Sequence, residues 1–127
     1  MISAVFLLQA VPVATEAAPP PEVAAQIEVI GRRLDTWKGS MKRRKDGQFA
    51  CKITASSGDA EIDAIRCNAM RYCGAQVDAR IQAVAGLKLA KAERNRRINA
   101  LAQEMQPCMA DYEDATVTRL AWERAGE

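Results

Sequence analysis

Four cysteines, Cys51, Cys67, Cys73 and Cys108, are the residues of this 127-residue chain whose chemistry is most constrained by spacing. An even set of thiols in a short chain forms either disulfides or a metal site. Zinc sites collect ligands in close pairs such as C-x-x-C. Here the intervals are 16, 6 and 35, and the chain has no histidine. A redox dithiol also favours C-x-x-C and a lowered thiol pKa, and no such pair is present. The set reads as two structural disulfides, with no metal and no other cofactor expected.

Geometry narrows the pairing. On one helix, the six-residue step from Cys67 to Cys73 gives an axial rise of about 9 Å and turns the two thiols to different sides. That exceeds a disulfide's reach, so each must pair with Cys51 or Cys108. A strand–turn–helix unit folds its helix back over the strand, which favours Cys51–Cys67 and leaves Cys73–Cys108. Closing the shorter loop contributes about 3 kcal/mol, the longer somewhat more.

Other reactive candidates are weaker. The lack of histidine removes the commonest general base. Ser56-Ser57-Gly58 before a helix has the form of a nucleophile or anion-binding turn. Asp59, Glu61 and Asp63 follow immediately and would repel an anion, so the segment reads as a turn and helix cap. The carboxylate sets Asp59/Asp63 and Asp111/Glu113/Asp114 fit a charged first turn and a solvated surface. The expectation is a protein that is not an enzyme. The competing reading is an envelope enzyme or enzyme inhibitor without histidine chemistry, which would need a closed pocket lined by Asp, Glu, Ser or Tyr.

Charge supplies a binding candidate. Net charge is only +2, yet residues 32–52 carry eight Lys/Arg against Asp35 and Asp46, while residues 108–127 carry five acids against Arg119 and Arg124. Lys38, Lys42, Arg43, Arg44 and Lys45 are the candidate partner-binding cations, with Trp37 as an anchor if exposed. The expected partner is an envelope protein or an anionic envelope surface. Nucleic acid is not expected, because Trp37 and Phe49 fall on the core side of the strands instead of interleaving with the cations.

The elements that must position these groups follow from the pattern. Ile27 to Leu34 reads as a short extended segment, with β-branched residues at alternate positions and a glycine. Asp46-Gly47 signals a hairpin. A three-residue loop, Lys45-Asp46-Gly47, sets Phe49 against Arg43, Cys51 against Met41, Ile53 against Gly39 and Ala55 against Trp37. That register gathers one apolar face, with Gly47 left-handed in a bulge, and turns Lys38, Lys42, Arg44 and Lys52 outward. Asp59 caps a helix whose stripe is Ile62, Ile65, Ala69 and Cys73, expected to break at Gly74. Helix then continues to the end, with breaks near Gly86 and Pro107. Val77, Ile81 and Val84 form one stripe. Leu87, Ala90, Arg94, Ile98, Leu101 and Met105 form another, and Met109, Tyr112, Val117 and Leu120 the last. The fold class is α+β: a small antiparallel hairpin packed by several helices, predominantly helical in its C-terminal half.

Compartment is read from the start of the chain. Ile2 to Val13 is almost free of polar groups, and small residues follow at Ala17-Ala18, as in an export signal. The run is too short to span a bilayer, which needs roughly 20 residues. The expected organisation is a signal peptide over residues 1–18, a Pro/Ala-rich linker over 19–26, and one domain over 27–127. Localisation is expected in the periplasm, with no membrane span in the mature form. Two disulfides agree with an oxidising compartment. They also suit a core in which apolar residues are 49% of the chain but aromatics only 5%, because much of that fraction is small alanine.

The stretch Asp46-Gly47 followed by Cys51 to Asp63, with Ser56-Ser57-Gly58 and then Ile62-Asp63, resembles the hairpin-to-helix junction of TonB C-terminal domains. The resemblance covers residues 37–73. In that family a turn, a strand, a Ser-Ser-Gly and a helix follow in this order. Cys51 and Cys67 are similar to the cysteines of disulfide-bearing variants. The resemblance implies a periplasmic interaction module, although the family has a closing strand where this chain reads as helix after Gly74. Separately, Ile27 to Arg32 resembles the segment that opens the plug of TonB-dependent receptors, which implies strand addition to a partner's sheet; the reading preferred for it is an edge strand within the fold.

Overall fold

A computed structural model describes residues 18–127. The expected export signal, apart from Ala18, lies outside the described residues. The element order is α1 (Pro21–Thr36), β1 (Lys38–Arg43), β2 (Phe49–Ala55), α2 (Ala60–Ala85), α3 (Lys91–Gln103) and α4 (Met105–Ala125). The architecture is α+β, a two-stranded antiparallel sheet with helices around it, and two disulfides staple it.

The first correction falls at α1. Residues 21–26, read as linker, and Ile27–Leu34, read as extended, form one continuous helix. Pro21 sits at its start, where a fixed φ and a missing N–H cost nothing. Val23, Ile30 and Leu34 are buried along one stripe, a helical period. Val29, which a strand reading pairs with Ile27, is 41% exposed on the other side. The Arg32 guanidinium reaches Glu28 at 2.5 Å one turn away, a pairing a helix permits. The segment compared with receptor plugs is therefore helical and has no free strand to add.

The hairpin follows the expected loop. Gly47 has φ +84°, its N–H donates to the Arg44 carbonyl at 3.0 Å, and the Arg44 N–H donates to the Gln48 carbonyl at 2.7 Å. The pairs Arg43–Phe49, Met41–Cys51 and Gly39–Ile53 are those expected. Ala55, however, faces Lys38 and not Trp37, because an irregularity between Lys38 and Gly39 shifts the register. Trp37 has already left the strand to cap the C-terminus of α1, its N–H donating to the Leu34 carbonyl.

Gly74 does not break α2, which runs 26 residues through it. An isolated helical glycine costs only about 1 kcal/mol, and tertiary contacts outweigh that: Gly74 is buried beside Met41, Phe49 and Met105. The break near Pro107 falls at Glu104, between α3 and α4. The proline ring clashes with the carbonyl four residues earlier, here Gln103, the last residue of α3.

Helices α2 and α4 are antiparallel. Asp59 meets Arg124, Cys73 meets Cys108 and Arg80 meets Glu104 in opposite chain order. The core joins Val23, Ile30 and Leu34 of α1, Ile62 and Ile65 of α2, and Val117, Leu120 and Ala121 of α4. Helix α3 buries no residue. The expected stripe from Leu87 to Met105 is not one helix face: Leu87, 47% exposed, and Ala90 precede α3, and Met105 begins α4. Among the described residues, no helix is long and apolar enough to cross a membrane.

Candidate functional site

The hairpin has two unlike faces. Met41, Cys51 and Phe49 turn toward α2, while Lys38, Ser40, Lys42 and Lys52 are exposed. Ser40 pairs with Lys52, so Lys42 lies diagonal to Lys52, while the register shift sets Lys38 opposite Ala55. Like charges this close on one sheet face destabilise it unless a counter-charge intervenes. Among the described residues, Lys38, Lys42, Arg44, Lys45 and Lys52 take part in none of the ion pairs. Asp46, the nearest acid in sequence, spends its carboxylate on the turn, accepting the Gln48 N–H at 3.0 Å.

Two expected site residues have other work. Arg43 is paired with Asp78 of α2 at 3.3 Å and braces the hairpin. Trp37 is 5% exposed and belongs to the core, so it is no surface anchor. Its ring faces the Arg66 guanidinium at 5.7 Å, a cation–π contact, and its indole nitrogen is buried without a hydrogen-bond partner. The sequence placed the tryptophan on the core side of the hairpin, and that placement holds.

The hairpin is fixed by the first disulfide. Cys51 is bonded to Cys67 with Cα atoms 5.6 Å apart, and Cys73 to Cys108 with Cα atoms 5.9 Å apart. Both pairs are those expected from helix geometry together with the strand–turn–helix fold-back, and no cysteine is free.

At the junction with α2, the serines serve structure. The hydroxyls of Ser56 and Ser57 donate to the Asp63 carboxylate at 2.5 and 2.7 Å, and the Ser57 N–H donates to it at 2.7 Å. The Ser56 and Ser57 hydroxyls, with the Ser57 N–H, outweigh burial and hold Asp63 below the usual carboxylate range. A carboxylate so stabilised is a poor proton acceptor. Gly58, at φ +83°, makes the turn, and Asp59 caps the helix by accepting the N–H groups of Glu61 and Ile62.

Sequence reasoning missed a hollow under the hairpin end. Its walls are Met41, Phe49, Val77, Ile81 and Met105, and Arg43 and Asp78 stand at its rim. A second hollow adjoins it, lined by Arg44, Gln48 and Arg71, so Arg44, expected outward with Lys38, Lys42 and Lys52, lies instead beside Arg71 and Asp78 of α2. The signal for it was the helical spacing of Gly74, Val77 and Ile81, which continues the buried stripe of α2 beyond Cys73. In comparisons with known proteins, no family model, curated protein or solved structure matches this chain significantly.

Proposed function

We propose that this protein is a non-catalytic interaction domain of an oxidising compartment, the periplasm, which presents the basic outer face of its hairpin to an anionic envelope component. The observation that carries this reading is the set of Lys38, Lys42 and Lys52, exposed on the hairpin with no ion-pair partner among the described residues. Concentrated like charge without local compensation attracts an anionic surface. The disulfide from Cys51 to Cys67 holds the hairpin on α2 by its inner face, and disulfides persist where thiols are oxidised. The likeness of residues 37–73 to the TonB hairpin–helix junction agrees with a periplasmic interaction role.

Binding of the full oxidised chain to phosphatidylglycerol-containing vesicles tests it. Binding should be present at low salt, fall steeply as salt screens the face, and be lost in the Lys38→Gln/Lys42→Gln/Lys52→Gln variant. Binding that ignores salt, or survives the triple substitution, rejects the reading.

A further inference from the structure

The two hollows beside the hairpin end adjoin at Phe49 and Asp78, which line both, and they form the unlike halves of one surface groove. The apolar half has a volume of about 340 Å³ and the polar half about 530 Å³, both within the usual size for small-ligand sites. Gly74 forms part of the apolar floor: a β-carbon there would lie 3.7 Å from Met105 Cε and Phe49 Cε2, and 3.8 Å from Met41 Sδ. Any larger side chain would fill the space. Met41, Phe49, Ile81 and Met105 are only half-buried, so apolar wall faces the opening. Methionine is flexible and adapts to chains of variable shape.

Charge distinguishes the other half. Asp78, its only acid, is neutralised by Arg43 at 3.3 Å. Arg44 and Arg71 line the same half and form no ion pair with an acid among the described residues. Their guanidinium groups are suited to carboxylate or phosphate oxygens. A neutral oil would leave those cations unused, and a bare anion would leave the apolar wall uncovered.

We propose that this groove binds a single-chain amphiphile with an anionic headgroup, the hydrocarbon chain among Met41, Phe49, Val77, Ile81 and Met105 and the head on Arg44 and Arg71. The site lies on the opposite side of the hairpin from Lys38, Lys42 and Lys52 and does not rest on their reading.

Methyl-labelled methionine NMR of the full oxidised chain is the test, with alkyl phosphates, the matching alcohols and inorganic phosphate as probes. Decyl phosphate below its micellar concentration should shift Met41 and Met105 saturably and leave Met70 and Met109, outside the lining, in place. Within the groove, affinity should rise about fourfold for each added methylene. Arg44→Gln/Arg71→Gln should weaken alkyl phosphate about tenfold or more, as loss of hydrogen bonds to a charged group does, and leave decanol unchanged. Ile81→Asp should abolish binding, whereas the triple lysine variant should retain it. The proposal is overturned if inorganic phosphate alone gives the same shifts, if decanol binds as tightly as decyl phosphate, or if shifts occur only with micelles. It is also overturned if the Met41 and Met105 signals move with protein concentration alone, since a second copy would then be the occupant.

Discussion

A β-carbon on Gly39 would lie 2.5 Å from Cη2 of Trp37 and 2.9 Å from the carbonyl oxygen of Lys52. The indole occupies the space that any other residue at position 39 would need. The helix α1, capped by Trp37, is thus locked onto the strand that begins one residue later. Gly39→Ala should destabilise the fold by about 1–3 kcal/mol, the usual cost of overpacking. Urea denaturation followed by tryptophan fluorescence in a Trp122→Phe background measures it. An unchanged midpoint would mean that the ring is free to move.

The two disulfides should differ in consequence. Removing Cys73–Cys108, which closes a 35-residue separation, costs about 4 kcal/mol in the chain-entropy account. Removing Cys51–Cys67, with a separation of 16, costs about 3 kcal/mol, but also frees the hairpin from α2. Cys51→Ser/Cys67→Ser should therefore lose hydrogen-exchange protection in β1 and β2 before α2. Cys73→Ser/Cys108→Ser should lower the melting temperature of the whole domain.

Asp59 ties the start of α2 to the end of α4, its carboxylate lying 2.8 Å from the Arg124 guanidinium. Burial pushes Asp59 up, but the Ile62 N–H, the Arg124 guanidinium and the Glu61 N–H together outweigh it and hold the carboxyl below its ordinary 3.8. The folded value lies below the unfolded one. Its stabilisation is therefore complete above pH 3.8 and is lost as pH falls through the lowered folded value. Asp59→Ala should cost about 1–2 kcal/mol at neutral pH, the range for a lost N-cap, and flatten the acid limb of the stability profile. Asp59→Asn should keep most of the cap and lose the pH dependence.

Helix α3 should open first under acid. It buries no residue, and Glu93 holds both Arg96 and Arg97 at 2.6–2.9 Å. Hydrogen bonds from Arg96 and then Arg97 draw the Glu93 carboxyl down from 4.5 to about 2. This contribution is present above 4.5 and disappears as pH falls toward 2. Amide exchange of residues 91–103 should rise in that window while α2 stays protected. Glu93→Gln should show the faster exchange already at neutral pH.

By itself the sequence determined the features set by local geometry. Asp46-Gly47 specified the hairpin loop, because only glycine adopts positive φ without strain, and the register followed since a one-residue slip scatters Met41, Cys51 and Phe49. Asp59 announced the helix cap. The six-residue step between Cys67 and Cys73 excluded their mutual bond, and the fold-back of a strand–turn–helix unit chose, of the two pairings left, the one that the structure contains. Tertiary structure decided what depended on neighbours. Ile27–Leu34 suits strand or helix by its own preference, and it is helical because Ile30 and Leu34 find Ile62, Ile65, Val117 and Leu120 on the other side. Gly74 weakens a helix in isolation, but in the fold it is buried beside Phe49 and Met105 and the helix runs on. The groove was the least legible feature, since Phe49, Ile81 and Met105 come from three elements, and a shared wall exists only once packing brings distant segments together.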